Sequence, residues 1–209
     1  DKYKESGDSN NDGVANDFIN CEHTWPQSFF NKSMPMVGDL HHLQSTMSVP
    51  NNRRSHFPFG EIAQGSVIYS TSGGSKLGVT QKPGKAKLTL ADAKKIFALP
   101  KEQSDKILDE QSYPTFEPMD AQKGNTARCL LYFYLRYYDQ NVRQGTFDKN
   151  NFWVSKVPTF IKWNEQLDPV NDIDRKRNDL VFKKQGNRNP FIDIPNLTSI
   201  ISENVLESK

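Results

Sequence analysis

Apolar residues in the first third of this 209-residue chain come in short steps, and after about position 89 they come in longer periodic runs. The opening DKYKESGDSNNDGVAND is polar and turn-rich. The step FINC (18–21) predicts a strand that delivers Glu22 and His23. Neighbouring strand side chains point to opposite faces, so this pair meets one ligand only if the backbone bends there. Pro26 fixes its own backbone and restricts Trp25, which places a bend just after the pair. NKSMPMVG (31–38) reads as a loop and DLHHLQSTMSV (39–49) as a second strand. Pro50-Asn51 opens a short helical segment that ends near Phe57, before Pro58. SVIYS (66–70) is a third strand candidate. Gly, Ser and Lys dominate 71–88, which predicts an exposed loop or hairpin.

Most of the rest reads as helix. Thr89 can cap a helix from about Leu90 to Leu99. NTARCLLYFYLRYYD (125–139) is apolar nearly all round, the pattern of a buried central helix. PTFIKWNEQ (158–166) predicts another helix, and VNDIDRKRNDLVFKKQ (170–185) a charged one stopped by Gly186. A last short helix follows from about Ile194. No internal repeat or low-complexity tract interrupts this order. The fold class expected is α+β: a mainly helical single domain over 1–209 with a small antiparallel sheet, a basic loop at about 71–88 and a helical remainder at about 89–209.

Charge alters this picture through its placement rather than its sum of +2. Residues 1–40 carry seven acids and three lysines, while 51–88 carry Arg53, Arg54, Lys76, Lys82, Lys85 and Lys87 against Glu61 alone. A polyanion-binding surface beside a metal site has that layout, and so does an ordinary solvated face. No apolar run approaches the roughly 18 residues of a membrane helix. Cys21 and Cys129 lack the clustered spacing of a zinc site. In an exported protein they could form one disulfide; in the cytosol they would be free and buried.

All four histidines, His23, His41, His42 and His56, fall within 34 residues that also hold Glu22, Asp39, Asn51, Asn52, Arg53 and Arg54. A core needs none of these types. Glu22 and Asn51 are hard oxygen donors suited to magnesium, which accepts few protein ligands and retains waters. His23 suits a general base at neutral pH. His41 and His42 alternate in direction along a strand, so at most one should face the site. Arg54 lies about one helical turn beyond Asn51 and could meet the same phosphate.

EHTWPQSFF (22–30), GDLHHL (38–43) and NNRRSHFPFG (51–60) resemble the signature of the endonuclease I family of non-specific nucleases. KGNTARCLLYFYLRY (123–137) is similar to that family's central helix, and QGNRNPFIDIP (185–195) to a further family segment. The resemblance covers most of the chain from about residue 20 onward. It implies a ββα-metal (His-Me) finger over about 17–60, with DLHHL on its second strand and Asn51 at the start of its helix. His23 matches the family's general base, and Glu22 and Asn51 its two metal ligands. Mg2+ is the implied ion, with Mn2+ or Ca2+ as alternatives. Arg54 is then the catalytic arginine. Arg53, Lys76, Lys82, Lys85, Lys87, Arg128 and Arg188 are candidates for contact with nucleic acid. A buried ion pair is an equal reading for Arg128. The implied activity is sequence-independent hydrolysis of DNA, with RNA an open second substrate, leaving 5′-phosphate ends, by a secreted or periplasmic monomer. Pro50 and Cys21 depart from the residue types expected before the metal ligands.

DSNNDG (8–13) fits the opening of a calcium loop through Asp8, Asn10 and Asp12. Ile19 stands where the bidentate Glu belongs, and an Asx-rich turn reads equally well. Two rival functions follow: a catalytically silent nucleic-acid-binding module, and a calcium-stabilised extracellular interaction domain.

Overall fold

The computed structural model describes residues 18–62, 66–143, 148–201 and 205–206. The DSNNDG motif, with Asp8, Asn10 and Asp12, lies outside them. The elements in chain order are β1 (Ile19–His23), β2 (Leu43–Met47), α1 (Ser48–Arg54), β3 (Val67–Ser70), β4 (Lys76–Gln81), α2 (Leu90–Phe97), α3 (Lys101–Gln111) and β5 (Ser112–Glu117). Then come α4 (Asp120–Tyr137), α5 (Lys149–Phe152), α6 (Val157–Lys162), α7 (Asp172–Gln185), α8 (Pro190–Asp193) and α9 (Leu197–Ile200). The architecture is α+β: β1 and β2 form one small sheet, and β3, β4 and β5 form another. Contacts gather the chain into two compact units, one taking in the chain up to Asn20 with Thr46–Met119, the other Cys21–Ser45 with Asp120–Lys209. Both β1 and β2 therefore pass from one unit to the other partway along their length.

The first unit is built on the β3–β4–β5 sheet. Its strands are antiparallel, with Leu77 opposite Phe116 and Gly78 opposite Val67. Pro58–Gly60 runs beside β5, with Phe116 N donating to Pro58 O and Gly60 N to Phe116 O. Phe57, Phe59, Ile68, Leu77, Ala93, Ile96, Leu108 and Phe116 are buried there. Thr89 caps α2 as expected: its hydroxyl accepts from Asp92 N while the Asp92 carboxylate accepts from Thr89 N. Where 71–88 was expected as an exposed loop or hairpin, residues 71–75 form the turn between β3 and β4, which pair as a hairpin.

The second unit packs around α4, which buries residues on nearly every side, in keeping with its all-round apolar sequence. Trp25, fully buried, stacks on Phe133 at 5.2 Å and donates its indole N–H to Val142 O. The bend at Trp25-Pro26 thus anchors the end of β1 in an aromatic core that also holds Tyr134, Trp153 and Phe160. Gly124 is required where α4 passes Asp168, because a Cβ there would lie 1.8 Å from the Asp168 carbonyl oxygen. Gly186, at φ 81°, ends α7 in the left-handed conformation foreseen for it.

Three expectations need correction. Leu40–His42 forms a 3-10 turn, so the second strand begins only at Leu43. The Asp39 side chain accepts from His41 N and tightens the chain into that turn. The helix after it runs from Ser48 to Arg54, earlier at both ends than Pro50-Asn51 predicted. β5 adds a strand well beyond the first third.

Candidate functional site

His23, at the end of β1, is held at both ring nitrogens within its own unit. Its Nε2 lies 3.0 Å from Val37 O, which can only accept, so Nε2 carries the proton. Its Nδ1 accepts from the Gln27 side-chain amide at 3.0 Å. Nδ1 therefore directs its lone pair at Gln27, four residues on in the same EHTWPQ segment. The His42 ring packs edge-on at 5.3 Å. His23 is half-buried and Glu22, its neighbour, is buried at 8% exposure. His42 itself is turned to Met36 O at 2.7 Å. His41 points away to Asn187 O and stacks against Tyr132. Of the two, only His42 meets His23. Burial pushes the His41 pKa below its ordinary value, against the hydrogen bond to Asn187 and the charge of Asp39.

Beneath this turn lies a hydrogen-bonded network centred on Asp39, which is 6% exposed. One carboxylate oxygen accepts from the hydroxyls of Tyr132 and Tyr137, each at 2.7 Å. The other accepts from His41 N and Gln185 Nε2, each at 2.9 Å. Burial would raise the Asp39 pKa, but these hydrogen bonds outweigh it and hold the carboxyl below its ordinary value. Burial and the adjacent carboxylate push both tyrosines up. Gln185 also accepts from Leu40 N and donates to Asn187, which donates to the Tyr132 hydroxyl. Arg177 adds 2.7 Å hydrogen bonds to Leu40 O and Leu43 O. The amides of QGNRNP and the tyrosines of the central helix thus fix the DLHHL turn. Sequence reading noted both segments but picked Arg188 and missed Gln185, Asn187, Tyr132, Tyr137 and Gln27.

In the other unit, α1 carries Asn51 and Arg54. The Asn51 amide nitrogen donates to Asn20 Oδ1 at 2.8 Å, which fixes the orientation of the amide. Arg54 is 2% exposed, with Nε donating to Phe57 O at 3.0 Å and its guanidinium 4.3 Å from the centre of the Phe59 ring. Arg53 lies over Phe97 at 4.2 Å. α1 ends at Ser55, whose φ of 54° is uncommon for a residue with a side chain and is held by a 2.6 Å hydrogen bond to Asp105. His56 pairs with Asp109 at 2.6 Å, a structural role.

Among proteins already described, the endonuclease I family model matches residues 2–103 and 97–196. The chain belongs to the endonuclease I family. It is 30% identical over 194 residues, 88% of its length, to a Bacillus subtilis (strain 168) protein named extracellular ribonuclease, of which the match covers 54%. A Bacillus amyloliquefaciens protein of the same name is 29% identical over 196 residues, 90% of this chain and 54% of that protein. The chain spans about half the length of the curated relatives it matches.

Within this endonuclease I family chain, the remaining candidates divide sharply by burial. Arg128 is fully buried, paired with Asp174 at 2.8 Å and donating to Asp168 O. That is the buried ion pair, and it leaves no route to a phosphate. Arg188 is committed to Asp193 through two nitrogens and to Asp179 through a third. Lys82 lies over the Tyr113 ring and donates to Asp109 O. Lys76 opens β4, and Lys85 and Lys87 are exposed beyond its end. Cys21 is exposed and Cys129 buried, with no disulfide between them, and the Cys129 sulfur accepts from Gln44 at 3.0 Å. No cluster of three or more His, Cys, Asp or Glu placed to hold a metal occurs among the described residues. Among them, no helix is long and apolar enough to cross a membrane.

Proposed function

We propose that this chain is a metal-dependent, sequence-independent endonuclease that hydrolyses phosphodiester bonds of nucleic acid and leaves 5′-phosphate ends. The observation that carries the reading is the state of His23. A base must be neutral, oriented, and open to the proton it takes. The Nε2–H bond to Val37 O fixes the tautomer and leaves Nδ1 as the accepting atom. Gln27 occupies that atom with a neutral amide, a partner that a water molecule can replace. When Nδ1 takes a proton, the Val37 carbonyl steadies the resulting cation.

Glu22 and Asn51 supply the oxygen donors for a divalent ion, with Mg2+ preferred and Mn2+ or Ca2+ as alternatives. Such an ion, when bound, offsets charge that develops on the phosphate oxygens. Arg54, one turn after Asn51, adds positive charge for the scissile phosphate. The strand–strand–helix order β1, β2, α1 is that of a ββα-metal finger and supports this assignment. The relatives' name, extracellular ribonuclease, brings RNA among the substrates beside DNA and favours an exported protein.

Plasmid DNA and a homopolymer RNA, each incubated with and without EDTA, test the reading. Cleavage should require the metal, and His23→Ala should lower the rate by about 10²–10⁴ while the circular dichroism spectrum is unchanged. Cleavage that persists in EDTA, or a His23→Ala protein retaining more than about a tenth of the rate, would refute the assignment.

A further inference from the structure

The first unit contains a cavity of about 320 Å³ between α1, the end of α2 and the start of α3. That volume is at the small end of ligand sites, which span roughly 300–1,000 Å³. Its wall combines Asn52 and Arg53 from α1, Phe97 at the end of α2, Leu99 just beyond it, and Lys101 and Asp105 from α3. The Arg53 guanidinium covers one side of Phe97 at 4.2 Å, and among the described residues no carboxylate pairs with it. Lys101, half-exposed, and Asp105 pair with each other. The wall therefore offers a cationic plane on an aromatic ring, an ammonium group close by, and an amide and a carboxylate for polar edges.

The geometry points to this cavity as a subsite for one unstacked nucleotide of the substrate, an inference that rests on the nuclease reading above. A planar base stacks on the exposed face of the Arg53–Phe97 pair, because every base has a π-face and guanidinium planes attract it. The phosphate of the same nucleotide then meets Arg53 and Lys101. The Asn52 amide on the cavity wall can both donate to and accept from a base edge. Asn52 and Arg53 adjoin Asn51, the proposed metal ligand, in sequence on one short helix. Only a base released from its neighbours can stack in this way, so the subsite makes single-stranded nucleic acid, or an unpaired loop, the preferred substrate.

The test uses the full chain with adenosine monophosphate as probe and inorganic phosphate as control. Heteronuclear NMR should show the nucleotide shifting Arg53, Phe97 and Lys101 signals. Arg53→Gln and Phe97→Leu should each weaken its binding by about tenfold, the loss expected when one base loses its stacking partner. In cleavage assays the same variants should raise KM for a single-stranded oligonucleotide with little change in kcat, and by a larger factor than for a fully paired duplex. Equal nucleotide affinity in parent and both variants would overturn the inference, as would inorganic phosphate reproducing the whole spectral change. A parent protein that binds the nucleotide at these residues but cuts nothing would overturn the nuclease reading and leave a nucleotide-binding cavity.

Discussion

Changing Asp39 to Asn removes the charge at the centre of the network beneath the DLHHL turn while keeping its volume. The oxygen that accepts from His41 N and Gln185 survives as an amide carbonyl. The oxygen that accepts from Tyr132 and Tyr137 becomes a donor, and both hydroxyl protons lose their acceptor. Tyr132 cannot simply reverse, because Asn187 already donates to its oxygen. Each hydrogen bond to a charged group contributes about 1.5–3 kcal/mol, so two lost bonds cost about 3–6 kcal/mol. Tyr137→Phe removes one of them and should cost roughly half as much. The cost also depends on pH. The folded Asp39 pKa lies below the ordinary carboxylate value of about 3.9, so its contribution is complete above that pH and is lost as pH falls through the folded value. Urea unfolding, followed by fluorescence of the three tryptophans, measures this directly. The gap between parent and Asp39→Asn should be constant from neutrality to pH of about 4 and should narrow below it. A gap under about 1 kcal/mol at neutral pH, or one unchanged in acid, would show that the network does not hold the turn as described.

Glu22→Ala and Asn51→Ala should each shift the magnesium midpoint of cleavage to higher concentration, since each removes one of two protein donors; titration curves that overlay the parent's would exclude the pair. Arg128→Met should lower stability by about 3–5 kcal/mol because it leaves Asp174 buried without its partner, and Asp174→Asn on that background should recover part of the loss in thermal melts. Gly124→Ala should destabilise despite the helix preference of Ala, about 1 kcal/mol over Gly, because the new Cβ meets the Asp168 carbonyl; a raised melting temperature would contradict that packing.

How far the sequence revealed this protein depends on the distance over which each element is decided. The Thr89 cap, the Gly186 stop and the buried run of α4 are decided within a turn or two, and all were legible. The DLHHL segment was not, since its alternation fits a strand while its turn is set by Asp39 and by residues near position 187. β5 contains Pro114, which local reading treats as a strand breaker, and its pairing with β4 carries it. In the candidate site, residue types were legible and side-chain commitments were not. Arg128 read equally as a phosphate contact or a buried ion pair, because nothing nearby in sequence announces Asp174. Gln27 was overlooked although its four-residue offset from His23 lay within the quoted motif.

The hydrogen bond from Gln185 to Asp39 joins residues 146 positions apart. A ribosome adding about 5–20 residues per second delivers the second partner roughly 7–30 seconds after the first. Throughout that interval the Asp39 carboxylate lacks its donor and the His41 ring its acceptor from the 185–187 segment, and the turn that orders the chain around His42 is without that part of its brace. Long-range closures of this kind also slow folding itself. The nascent chain therefore carries its Glu-His pair through that interval without the full scaffold that shapes the neighbouring turn, which closes only when translation has passed Asn187.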